Sequence, residues 1–149
     1  MSRAAEALAE ARRWIGTPYR HGASVRGAGC DCLGLLRGVR RALYGDDERP
    51  PPYLPDWAEV LDGEPLLDAV RGRMPEIAGG TAEPGDLLLF RISPSAAVKH
   101  CAVVSAAGAG GPERMIHAYW GRAVVESWIG PWWRRRMAAA FCFPDAEAC

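Results

Sequence analysis

The sequence predicts one α+β domain, with helices in its N-terminal part and an antiparallel sheet in its C-terminal part. Apolar residues recur at helical spacing up to Gly45, and after Gly79 they come in short runs separated by turn-forming residues. The 149 residues, of which 49% are hydrophobic, are enough to build one core. We therefore expect residues 1–149 to form a single domain.

A first helix is predicted over residues 4–15. Ser2 is a good N-cap residue, and Gly16 followed by Pro18 ends the helical segment. The apolar face of this helix consists of Ala4, Leu8, Ala11 and Ile15.

A second helix is predicted to begin at Cys32 and to end before Gly45. The preceding stretch "HGASVRGAG" is rich in glycine, so we expect it to lack regular structure and to lead the chain to Asp31. The apolar positions of the helix are Leu35, Leu36, Val39 and Leu43. Cys32 is thus expected in the first helical turn.

The remaining elements follow from composition and from short apolar runs. Residues 46–65 are rich in proline and acidic side chains and are predicted to be a surface loop, and a short helix is possible over 66–71. The turn sequence "EPGD" precedes the first of five predicted strands. These strands are expected at 87–92, 100–105, 114–119, 123–129 and 137–143.

Charge and cysteine content exclude several functional classes. The formal net charge is zero, which argues against a nucleic-acid or anionic-membrane partner. Glu6, Glu10 and two arginines interrupt the first apolar residues, so neither a signal peptide nor a membrane span is predicted. Cys30 and Cys32 are too close in sequence to bridge each other without strain, and five cysteines cannot all pair, so we expect a free thiol.

Cys32, His100 and His117 form the candidate catalytic set. A helix N-terminus and a nearby imidazole stabilise a thiolate, which is the nucleophilic form of cysteine. The two histidines lie on consecutive predicted strands, so a hairpin could place both on one side of the sheet, one as base and one as its orienter.

Two other interpretations compete with catalysis. Cysteines and single histidines often only fill space, and this role is expected for Cys142 and, less strongly, for Cys101 and Cys30. A zinc site is the second rival, with Cys30, Cys32, His100 and Cys101 as its four ligands. The spacing disfavours zinc, because neither C-x-C nor adjacent His-Cys is the usual two-residue-spaced knuckle and neighbouring strand residues point to opposite faces.

Four segments of the sequence carry a family resemblance, in this order and spacing: "GTPYRHGASVRGAGCDCLGLLRGV", "EPGDLLLFR", "KHCAVV" and "MIHAYWGRAVVES". Together they resemble the NlpC-type family of papain-like cell-wall cysteine peptidases. The segments "PPYLPDWAE" and "WWRRRMAAAFCFP" further resemble the branch found in tailed phages and gene transfer agents.

The resemblance implies a fold of N-terminal helices packed on a central antiparallel sheet of about five strands. It implies hydrolysis of an amide bond in the peptidoglycan stem peptide, commonly between D-glutamate and the diamino acid, without metal or cofactor. By position, Cys32 corresponds to the nucleophile, His100 to the general base and His117 to the residue that orients the base. Tyr19 corresponds to a tyrosine that holds the oxyanion or the substrate, and Asp31 to an aspartate that meets the amino end of the stem peptide.

One position departs from the family pattern. Many relatives have serine where this chain has Leu33, so specificity for a free N-terminal alanine is in doubt. His21 lies near the predicted site but is expected to hydrogen-bond locally.

The predicted substrate lies outside the cytoplasmic membrane, whereas the sequence shows no export signal. We therefore expect a protein made in the cytoplasm and assembled into a phage-like tail, where it contacts hub, baseplate or fibre proteins and acts on the recipient's cell wall. The segment "WIGPWWRRR" offers Trp128, Trp132 and Trp133 for docking, or these residues cap the core. The alternatives are a free lysin, an inactive tail module and a thiol acyltransferase of the same fold.

Overall fold

The computed structural model describes residues 2–45 and 63–145, and it confirms the α+β class. The predicted loop at 46–65 lies mostly outside these residues, as does "PPYLPDWAE". The four α-helices of the described part are α1 (Arg3–Trp14), α2 (Cys32–Tyr44), α3 (Pro65–Arg71) and α4 (Pro131–Arg134). Its strands are β1 (Ser24–Val25), β2 (Gly29–Cys30), β3 (Glu76–Ile77), β4 (Leu87–Arg91), β5 (Val98–Gly108), β6 (Gly111–Ala118), β7 (Val124–Trp128) and β8 (Met137–Phe141).

Helix α1 follows the sequence pattern closely. The Ser2 hydroxyl accepts a hydrogen bond from the Ala5 amide at 3.1 Å, which caps the first turn. The helix buries Ala7, Ala11 and Trp14, and it packs on α2. In the described part of the chain, no helix has the length and apolarity needed to cross a membrane.

Helix α2 begins and ends as its sequence predicts. Asp31 is its N-cap, and Gly45 closes it in the left-handed conformation, with φ of 72°. Leu35, Leu36 and Val39 are buried on the side that faces the core. Gly38 allows close contact with α1, because a Cβ at this position would lie 2.0 Å from Cζ2 of Trp14.

The main sheet has six antiparallel strands in the order β3-β8-β4-β5-β6-β7. The expectation of about five strands omitted β3, a two-residue edge strand that carries too little hydrophobic pattern to be recognised. Strand β5 is also longer than predicted at both ends. Apolar residues cover both faces of the sheet, and α1 and α2 pack on one of them.

The glycine-rich stretch before α2 is regular, contrary to the expectation from its composition. Strands β1 and β2 pair in it as a small antiparallel hairpin, with Ser24 opposite Cys30 and Val25 opposite Gly29. Backbone pairing is possible here because Gly27, at the turn, adopts φ of 82°, which other residues avoid. This hairpin brings the chain to the N-terminus of α2.

Candidate active site

Cys32 is the first residue of α2 and lies against the start of β5. Its half-buried thiol Sγ lies 3.3 Å from the carbonyl oxygen of Lys99, and the Cys101 thiol donates to the carbonyl oxygen of Cys32 at 3.2 Å. Lys99 is an extra residue in β5, since Phe90 pairs with His100 while the next residue of β4 pairs with Val98. The sulfur therefore lies beside an irregular part of the strand.

The surroundings of Cys32 favour its thiolate. The side chain of Cys101 lowers the pKa of Cys32 most, burial works against this, and the neighbouring His100 with its positive charge lowers the pKa further. The N-terminal position in α2 acts in the same direction through the helix dipole. Cys32 is thus prepared to react as an anion.

The other described cysteines are not prepared in this way. Burial raises the pKa of Cys30 to about 12, and the nearby Asp31 adds to the rise. The pKa of Cys101 is also raised, first by its hydrogen bond with Cys32 and then by burial. Cys142 is disulfide-bonded, so its interpretation as a simple packing residue is wrong.

The two predicted histidines are in direct contact. Nε2 of His100 lies 2.8 Å from Nδ1 of His117, and both rings are buried. Side chains alternate between the two faces along a strand. Ile116 and Ala118, on either side of His117, face the helices, and so does Cys101, which follows His100. Both histidines therefore belong to the opposite face of the sheet. The structure therefore pairs His100 with His117, and it places the thiol of Cys32 beside Lys99, the residue that precedes His100.

Ser127 extends the pair of histidines by a further hydrogen bond, and the sequence did not predict this role. Nε2 of His117 lies 2.8 Å from Oγ of Ser127 on β7. Burial, together with the charge of His100, lowers the pKa of His117 to about 3, so its ring is neutral near pH 7 and carries one N–H. When His100 is protonated, both its nitrogens donate. His117 must then accept at Nδ1 and donate from Nε2 to Ser127.

Trp133 is the second site residue that the sequence did not reveal. Its indole stacks on His100 with ring centroids 5.0 Å apart and an interplanar angle of 27°. It meets His117 edge-on at 5.4 Å and 89°. Trp133 is half-buried against the sheet, which agrees with the alternative that it caps the core rather than with a docking role.

Asp31 organises the loop next to the nucleophile. Its carboxylate accepts from the Gly34 amide at 2.7 Å and from the Gly22 amide at 2.8 Å. His21 lies close by, with its Nδ1 at 3.8 Å from Oδ2 of Asp31. The carboxylate is buried, and its predicted contact with substrate stays a prediction.

Tyr19 and Leu33 flank the same region, and both are half-buried against the helix-side core. Burial raises the pKa of Tyr19 first, and the negative charges of Cys32 and Asp31 add to the rise. The tyrosine hydroxyl therefore keeps its proton and is able to donate a hydrogen bond.

The proposed zinc ligands do not come together as a set. Cys101 faces the helices and His100 faces the other side of the sheet, as alternation along a strand requires. Among residues 2–45 and 63–145, no group of three or more His, Cys, Asp or Glu side chains could hold a metal ion.

Comparison with known proteins relates this architecture to solved structures. No protein-family model matches the sequence, and neither does any curated protein. An NLP/P60 family protein of Staphylococcus aureus, described as similar to lipoprotein, shares 21% identity with a TM-score of 0.61 and is matched over 94% of this chain and 41% of its own.

Two further structures show the same relationship. For an NlpC/P60 family protein of Bacillus cereus the identity is 19% and the TM-score 0.61, over 92% of this chain and 39% of the other. For NlpC1 of Trichomonas vaginalis the identity is 20% and the TM-score 0.53, over 91% and 42%. The chain thus spans about 40% of the length of these structures. It has the fold of NlpC/P60 family proteins.

Proposed function

We propose that this chain is a cysteine endopeptidase that hydrolyses an amide bond in the stem peptide of peptidoglycan, with the bond between D-glutamate and the diamino acid as its preferred target. The observation that carries the proposal is the placement of the Cys32 thiol beside Lys99, next to His100, together with the 2.8 Å contact of His100 with His117. The fold of NlpC/P60 proteins and the motif resemblance support the choice of substrate.

The first half of the reaction forms an acyl-enzyme. The thiolate of Cys32 attacks the carbonyl carbon, and the carbonyl oxygen becomes an oxyanion. Because Cys32 is the first residue of α2, its backbone N–H has no acceptor within the helix and can donate to that oxyanion. The Tyr19 hydroxyl is the second candidate donor. His100 then protonates the departing amine as the C–N bond breaks.

The second half releases the acid product. His100, now neutral, takes a proton from water, and the resulting hydroxide attacks the thioester carbon. The S–C bond breaks, so the thiolate of Cys32 is restored beside the protonated His100. His117 keeps the His100 ring in place through both steps, and Ser127 holds His117.

Purified sacculi provide the direct test. The protein should release new amino termini from sacculi that contain a diamino acid, and mass spectrometry of the fragments identifies the cleaved bond. Cys32→Ala should release none, while Cys30→Ala serves as the matched cysteine control. Transfer of an acyl group to an added amine or lipid, without hydrolysis, would instead identify an acyltransferase.

We further propose that the protein acts from the tip of a phage-like tail, where it opens the wall of the recipient cell during DNA entry. Two exposed tryptophans support a docking role, since Trp128 is 63% and Trp132 is 43% exposed, and tryptophan is enriched at interface hot spots. Purified particles should contain the protein in a small fixed copy number. Its presence only in lysates would identify a free lysin.

A further inference from the structure

Trp133 contacts both imidazoles of the candidate triad, and it does so in two different ways. The flat face of the indole lies along His100, whereas His117 meets the indole nearly at a right angle. The stacked contact covers one face of the base, and the ring of Phe90 also lies nearby, with its centroid 6.1 Å from that of His100. The rings thus limit the orientations open to His100.

Backbone and ring contacts fix the position of the indole. Phe90 packs edge-on to Trp133 at 5.0 Å. The short helix α4 is tied to the sheet, because Arg134 donates to the carbonyl oxygen of Pro112 at 2.8 Å and Arg136 donates to that of Ile92 at 3.0 Å. The amide of Arg91 also donates to the carbonyl oxygen of Arg136 at 2.8 Å. These contacts therefore fix both the indole ring of Trp133 and the segment of chain that carries it.

Stacking on an aromatic face favours the charged form of an imidazole. The π-cloud of an indole attracts a cation over its face, and this attraction strengthens where water is excluded. The titratable groups described near the base include Cys32 from α2, Cys101 from β5 and His117 from β6, with Asp31 acting on Cys32. Of these, only the thiolate of Cys32 directly balances the positive charge of His100.

We propose that Trp133 is a positioning residue that holds His100 between Cys32 and His117 and stabilises its protonated form. The inference rests on the proposed catalytic roles of Cys32 and His100. It assigns to Trp133 an effect on the reactive ion pair, which is separate from its contribution to packing.

The test measures the rate at which iodoacetamide alkylates Cys32, as a function of pH and without substrate. Trp133→Leu keeps an apolar side chain and removes the π-face, whereas Trp133→Phe retains an aromatic ring. We expect Trp133→Leu to lower the alkylation rate between pH 5 and 6 by about 5-fold and to move the rising part of the pH profile to higher pH. Trp133→Phe should retain most of the wild-type rate. Trp120→Leu is the matched control, because it makes the same change at a position that is 75% exposed.

The inference fails if Trp133→Leu lowers the melting temperature and leaves the alkylation profile unchanged, or if Trp120→Leu moves the profile equally. If Trp133→Leu does not fold, Trp133→Met takes its place, because it also removes the π-face and fills the site with a larger, flexible apolar side chain; an unshifted profile in that variant rejects the inference. If the wild-type protein does not hydrolyse sacculi but Trp133→Leu shifts the alkylation profile, the proposed substrate is rejected and the role of Trp133 is retained.

Discussion

Nε2 of His100 and Nδ1 of His117 lie 2.8 Å apart, and this contact determines how protons are arranged in the site. Since His117 carries one N–H at neutral pH, protonation of His100 sets the tautomer of His117 and directs its remaining N–H to Ser127. The effects of this arrangement on activity and stability can be measured by replacing each residue of the site in turn.

Replacing Cys32 should abolish hydrolysis, whereas replacing Cys30 should not. Among the cysteines that the structure describes, only Cys32 combines the helix N-terminus with a lowered pKa, while the pKa of Cys30 is raised to about 12. The measurement is release of new amino termini from sacculi by Cys32→Ala and Cys30→Ala. An inactive but folded Cys30→Ala would contradict the assignment of the nucleophile.

The histidines and Ser127 should differ in the size of their effects. His100→Ala should cost as much activity as loss of the thiol, because the two groups act as a unit. His117→Ala should lower kcat/KM by about 100-fold, since it leaves His100 in place but without its partner. Ser127→Ala removes one hydrogen bond and should cost about 3- to 10-fold. Equal losses of kcat/KM in Ser127→Ala and His117→Ala would contradict the prediction that His117 contributes more than Ser127.

Stability should fall as the pH drops, and His117 should cause part of that fall. Burial lowers the pKa of His117 from 6.5 to about 3 in the folded protein. Between these values the unfolded chain binds a proton that the folded protein excludes, so the free energy of unfolding decreases with decreasing pH, by up to about 1.4 kcal/mol per pH unit.

Urea denaturation between pH 4 and 8 measures this dependence. In His117→Gln the proton-binding group is absent, so the slope between pH 4 and 6 should be shallower than in the wild type. Identical slopes in the two proteins would mean that His117 binds its proton with similar affinity in the folded and unfolded states.

Much of this architecture could be predicted from local sequence, but the completed site could not. The caps and apolar spacing of α1 and α2 identified both helices, and they placed Cys32 at a helix start. The contacts of Ser127 and Trp133 with the histidines were not predicted, because they depend on strand register and on how α4 folds back onto the sheet. Neither residue type signals catalysis without those long-range contacts.

Gly34 should not tolerate alanine. A Cβ at this position would lie 1.8 Å from the carbonyl oxygen of Ala23, so the loop that precedes α2 would have to move. We expect Gly34→Ala to lower the free energy of unfolding by roughly 3 kcal/mol, at the upper end of overpacking effects. Gly80→Ala is the control, because a Cβ there meets nothing within 4 Å. Urea denaturation measures both variants, and equal stability of Gly34→Ala and Gly80→Ala would contradict the close packing of Gly34 against the Ala23 carbonyl.

The irregular start of β5 has a practical consequence. Cys32 belongs to a helix and His100 to a strand that comes much later in the chain, and the two meet only where Lys99 interrupts the regular pairing. In a misassembled chain Cys32 is an ordinary thiol with little reactivity in mild acid. A thiol-directed label applied at low pH would therefore act as an active-site titrant, and it would report the share of correctly assembled molecules in a preparation before any substrate is known.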